Sequence, residues 1–200
     1  MIYLEHHGVN AVRKLISSRA ATPKPLSLRY TNLMRFALTI LLGLLCVAHA
    51  QTITAKNWQN HPAILEIRGI YAGVNALIAQ KKLKLEAKTF EYCPSWDLER
   101  KKHTATNGIV RRYVKAGGSE DSAVTIDHAY DALGRLRFVF IKAGAVNGAQ
   151  LEQRWYFDVS GKRLWLDRRA TGEGYSFADA DFLREMVWSP KKAFTATPPC

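Results

Sequence analysis

The chain has 200 residues, 29 of them Lys or Arg and 17 Asp or Glu, for a formal net charge of +12. At 48% hydrophobic and 23% charged it is too apolar for an intrinsically disordered chain. Three cysteines are too few for a disulfide scaffold.

The first informative stretch is Met34 to Ala50. It has a basic start at Arg35, an apolar run from Phe36 to Val47, and small residues at Ala48 and Ala50. That is the layout of a signal peptide cut after Ala50. Spanning a bilayer needs roughly 20 apolar residues, and a run of roughly 10 to 14 reads better as a signal core. Cys46 follows Gly43-Leu44-Leu45, but bulky Leu45 stands where lipid attachment wants a small residue. Residues 1–33 hold His6-His7 and Pro23-Lys24-Pro25 without a sustained apolar period. They read as a start-site extension before Met34 or as a long n-region, and are set apart from the fold.

The expected product is a single exported domain, 51–200, periplasmic or extracellular, with no transmembrane span. It carries 23 basic and 16 acidic residues, a net +7. Such a surface meets anionic partners: an envelope component such as a lipid head group or polysaccharide, or an acidic protein. Export argues against nucleic acid. Cys93 and Cys200 remain after cleavage, and an oxidising compartment permits a bond between them. The alternative is two free thiols.

Within that domain, Gln51 to Asn60 is polar and irregular. Pro62 suits a first helical position, with Asn60 or His61 as cap. Ile64, Ile67, Tyr71, Val74 and Ile78 recur at spacings of three and four, one face of a helix ending near Gln80 to Lys82. From Leu83 the period changes to two. Cys93-Pro94-Ser95 is a break.

Beyond it lies a series of hairpins. Asn107-Gly108 is a two-residue hairpin signal. Further turns are expected at Gly117–Asp121, Asp131–Gly134, Ala143–Ala149 and Asp158–Gly161. Two units echo each other, Tyr130-Asp131-x-x-Gly134 and Phe157-Asp158-x-x-Gly161. Asp opens such a turn through its carboxylate, and Gly closes it in the left-handed region. Short connections predict antiparallel pairing. A short second helix is expected from Ala178 to Val187, ended by Ser189-Pro190. The fold class is α+β: an N-terminal helix packed on a curved antiparallel meander of about five or six strands, with a short C-terminal helix.

The period of two assigns faces. Val124, Ile126, His128 and Tyr130 share one. Leu136, Phe138 and Phe140 are placed with them, as are Leu151, Gln153, Trp155, Phe157, Leu164 and Leu166. This face is expected to meet the helix. Arg137, Arg154, Arg163 and Trp165 then point outward together, a candidate binding patch for an anionic partner.

No catalytic motif stands out. The chain has no Gly-x-Ser-x-Gly elbow and no glycine-rich phosphate loop. His61, His103 and His128 lack metal-ligand spacing, and His128 reads as a core histidine. Asp127 flanks His128, but strand neighbours point to opposite faces. No catalytic residue, metal or cofactor is assigned. The expected function is a non-enzymatic binding or interaction domain. The alternative is a small-molecule carrier or enzyme with a pocket between helix and sheet.

Overall fold

The structure is a computed structural model that describes residues 51–93, 96–173 and 179–197. A 3-10 turn at Trp58–Asn60 leads into helix α1, Pro62–Ala79. Pro62 opens α1, and the His61 Nδ1 accepts from the Ala63 N–H at 3.2 Å. The helix ends where its cap Gln80 is followed by Lys81 at φ +56°. By length and composition α1 is apolar enough to cross a membrane. Here Ile64, Ile67 and Val74 are its buried face.

Seven strands follow: β1 Lys84–Cys93, β2 Trp96–Thr104, β3 Val110–Gly118, β4 Ser122–Tyr130, β5 Leu136–Ala145, β6 Gln150–Phe157 and β7 Arg163–Thr171. They form one sheet in sequence order, each pair antiparallel. The architecture is α+β, with seven strands where five or six were expected. The additional length lies in β1 and β2, where the alternating Lys84, Glu86 and Lys88 of β1 and the run Glu99-Arg100-Lys101-Lys102 of β2 carry little apolar signal. Helix α2, Asp179–Leu183, is shorter than the sequence suggests. Pro190 opens a further helix, α3, Pro190–Thr195, and does not merely end α2. Cys200 and the Cys93 side chain lie outside the described residues, as does the proposed bond between them.

The turns have one design. Gly108, Gly134, Gly148 and Gly161 all have φ near +80°. In each turn the glycine N–H donates to the carbonyl three residues back, Ala105, Asp131, Ala145 and Asp158 respectively. Among the described residues Asn107 is not at positive φ, so its turn is the longer glycine-closed kind and not the two-residue type. Asp131 Oδ1 accepts from the Leu133 and Arg135 N–H groups, and Asp158 Oδ1 from those of Ser160 and Lys162. Burial alone raises the Asp131 pKa. The donors of Arg135, backbone and guanidinium, outweigh it and hold the carboxyl below its ordinary range.

Three of these hairpins carry a bulge just past the turn. Arg111, Arg137 and Leu164 each have no partner in the ladder, and the register shifts by one across them. An extra residue flips the faces of the strand residues beyond it. Leu136 therefore lies with Tyr130, whereas Phe138 lies with Ala129 on the other face.

This corrects the assignment of faces. Helix α1 covers Ala129, Phe138 and Tyr156, with Phe140, Leu164 and Trp165 at the margin. The face with Ile126, His128, Tyr130, Leu151, Trp155 and Phe157 points away from α1. The C-terminal segment closes it through Phe182, Met186 and Phe194. Strand β5 buries residues on both faces.

Gly161 and Gly148 separate conformation from crowding. A Cβ on Gly148 meets open space, whereas one on Gly161 lies 3.0 Å from the Trp188 ring. Gly148→Ala is expected to cost about 1 kcal/mol from positive φ alone. Gly161→Ala should cost about 1 kcal/mol more from crowding. Chemical denaturation of both, with and without Trp188→Ala, checks this. Trp188→Ala should erase the difference.

Candidate functional site

The four residues of the expected patch do not share a surface. Arg137 is 4% exposed because it is the bulged residue of β5. Its Nε donates to the Phe157 carbonyl at 3.1 Å, and its guanidinium pairs with Glu66 at 3.0 Å and Asp131 at 3.7 Å. Arg154 lies on the α1 side over the Phe140 ring, paired with Glu152 at 2.8 Å and Asp167 at 3.5 Å. Trp165 stacks on Trp58 at 5.8 Å and 20°. Arg163 is on the other face, 5.2 Å over the Trp155 ring. The bulges at 137 and 164 are the cause, since Arg163 and Trp165 flank the second one. The arginine that does sit by a part-exposed tryptophan is Arg68, 5.1 Å over Trp58.

Two polar clusters attract interest as chemistry, and each is occupied by holding the fold. Asp127, 4% exposed, accepts from Arg112 Nε at 2.8 Å and Nη2 at 2.6 Å, and from the Tyr71 hydroxyl at 3.1 Å. Arg112 Nη1 also donates to Asn75. Both carboxylate oxygens of Asp127 are thereby spent on tying α1 to β3 and β4. His103 lies on the same face, its pKa lowered by burial and by Arg112. On the other face His128 is fully buried. Its Nδ1 is 3.2 Å from the Tyr113 carbonyl and its Nε2 3.0 Å from the Glu185 carbonyl. Burial pushes its pKa below the ordinary value despite those carbonyls. It ties the C-terminal segment to β4, beside the Tyr130 hydroxyl that donates to the Val187 carbonyl at 2.7 Å.

The remaining site lies at the turn end of the sheet, a cleft of about 420 Å³. The β2–β3 turn contributes Asn107 and Gly108, Ile109 and Val110 come directly after it, and Gly134 comes from the β4–β5 turn. The opposite wall is Ser189 and the start of α3 with Pro190, Lys191 and Lys192. Among the described residues the only charged ones lining it are the two lysines, both exposed. Among the described residues neither side chain has an acidic partner. Ile109, Val110 and Pro190 supply an apolar floor.

The wall is held rigidly. Phe194 is buried, with the Lys102 ammonium 4.4 Å and the Lys88 ammonium 5.0 Å from its ring centre. Arg100, 7% exposed, donates Nη1 to the Ala193 and Ala196 carbonyls at the end of α3. Glycine matters here as absence of bulk. A Cβ on Gly108 would lie 3.8 Å from Lys191 Nζ, and one on Gly134 3.5 Å from Ile109.

The sequence reading ends its second helix at Ser189-Pro190 and assigns no element to the residues directly after it, so this cleft is not foreseen. Lys191-Lys192 directly after Pro190 was the available signal. A second cavity, about 380 Å³, lies at the opposite end, with Glu120 and Asp121 among its lining. Neither cavity lies between α1 and the sheet, where the alternative reading needed a pocket. Among the described residues no group of three or more His, Cys, Asp or Glu converges as a metal would require. Comparison with protein-family models, curated proteins and solved structures found no match.

His128 gives a pH prediction with a fixed sign. The unfolded histidine titrates near 6.5 and the folded one below it, so the unfolded chain binds more protons between those values. Stability should be full above about pH 7 and fall as pH drops through 6.5 and below. Urea denaturation from pH 7.5 to 5 should show that loss, with a shallower slope in His128→Gln. An equal slope in the variant removes His128 as the cause.

Proposed function

We propose that this protein is an exported, non-enzymatic binding domain that takes an anionic group of a cell-envelope component. The carrying observation is the cleft whose only charged lining residues, among the described residues, are Lys191 and Lys192, above an apolar floor. Two ammonium groups favour an anion, and Ile109, Val110 and Pro190 favour an apolar stem attached to it. The volume falls in the range of small-ligand sites. A head group or chain end fits it better than a flat surface does.

Export rests on the Met34–Ala50 pattern, which sets the periplasm or the exterior as the compartment. The non-enzymatic reading rests on how the polar groups are used. Asp127 is engaged by Arg112 and Tyr71, and both ring nitrogens of His128 face backbone carbonyls. None of these groups lines the cleft.

Co-sedimentation with phosphatidylglycerol vesicles across a salt series tests the reading. The protein should bind at low salt and be released as salt rises. The double variant Lys191→Glu, Lys192→Glu should lose binding at least tenfold, while phosphatidylcholine vesicles recover neither protein. Unchanged binding in the double variant, or none by the wild type at low salt, overturns the proposal.

A further inference from the structure

Among the described residues β1 pairs only with β2 and β7 only with β6, so both are edge strands of the sheet. An unpaired strand edge is a template for another strand. Strand β1 carries Lys84, Glu86 and Lys88 on one face and Leu85, Ala87 and Thr89 on the other. Leu85 is 54% exposed, and the Lys84 side chain 76%.

We propose that two copies of this chain join their sheets through β1, antiparallel about a two-fold axis at Ala87. In that register Glu86 of each copy lies opposite Lys88 of the other, twice by symmetry. Leu85 lies opposite Thr89, and Lys84 opposite Phe90. The central pair is two alanines, small enough for the closest approach.

The neighbouring registers are worse. Centring on Glu86 or on Lys88 sets like charges face to face. Centring on Leu85 also opposes Lys84 to Glu86, but strand overlap then shrinks to residues 84–86, against 84–90 for the Ala87 axis. The lysines of an edge strand commonly deter pairing. Centring on Thr89 overlaps over 85–93 but opposes Lys88 to Phe90 and Glu86 to Tyr92, so among the longer overlaps the Ala87 axis is the one that sets opposite charges against each other.

The other edge lacks this match. Strand β7 has its Asp167 and Arg169 side chains paired at 3.8 Å within one copy. The self-pairing that opposes Asp167 to Arg169 puts Arg168 opposite Arg168. One closed two-fold contact therefore forms a dimer and leaves β7 as a charged end, with no growth into a filament.

Light scattering on the eluted protein at rising concentration tests the proposal. The wild type should approach twice the monomer mass. Glu86→Lys, which sets Lys against Lys88 of the partner, should stay at monomer mass, and Glu86→Lys with Lys88→Glu should restore the doubled mass. Because Glu86 also pairs with Lys102 at 3.3 Å and the Lys88 ammonium lies 5.0 Å over the Phe194 ring, hydrogen exchange of the wild type serves as a second readout independent of any variant. Amide protection of β1 residues 84–90 should rise with concentration while that of β7 stays constant. A wild type that remains monomeric, a Glu86→Lys variant that still doubles, or protection rising on β7 instead overturns the proposal.

Discussion

The layout of both faces of the sheet depends on one backbone constraint. At the same end of the sheet, three hairpins close on a left-handed glycine and insert an unpaired residue three positions later: Gly108 and Arg111, Gly134 and Arg137, Gly161 and Leu164. Each insertion reverses which side chains face which layer. Without the one at Arg137, Leu136 and Phe138 would share a face. With it, Phe138 reaches the helix layer while Leu136 stays with the C-terminal layer. Burying a large apolar side chain is worth about 1.5 to 3 kcal/mol, so two covered faces stabilise far more than one. A single helix cannot cover a seven-stranded sheet on both sides. The C-terminal segment is therefore a required third layer.

That third layer is held by polar ties as well as by packing. His128, Tyr130 and Arg100 reach the carbonyls of Glu185, Val187, Ala193 and Ala196. All three sheet residues are buried, so each of these bonds is costly to leave unmade. They fix the segment along the tail-covered face and deliver the start of α3 to the turn end of the sheet. Lys191 and Lys192 thus line one cleft with Gly108 and Gly134 as a consequence of the fold's own closure. The glycines that permit the turns also keep bulk out of the cleft, which joins the local backbone rule to the proposed binding role.

Much of this was legible in the sequence. The helix from Pro62, the Asp-x-x-Gly turns and the antiparallel order follow from local chemistry acting within a few residues. The bulges did not, because Arg111, Arg137 and Leu164 share no residue type and their effect is on register. A strict period of two therefore grouped Arg163 with Trp165, which the bulge at Leu164 puts on opposite faces. It also sent Arg137 outward, where Glu66, Asp131 and the Phe157 carbonyl in fact receive it. The cleft was illegible for a different reason. It joins turns near residues 108 and 134 to a helix near 191, and no local pattern records that meeting.

The central claim is that the turn end of the sheet, closed by α3, is an anion site. It is tested most directly by titrating the isotopically labelled protein with a short-chain phosphatidylglycerol below its micelle concentration and following every backbone amide by NMR. The account predicts saturating shifts confined to the amides of Gly108, Ile109, Val110, Gly134, Ser189, Lys191 and Lys192. Shifts that spread without saturation over distant lysines such as Lys56, Lys81 and Lys162, or that leave the cleft amides unmoved, would contradict it.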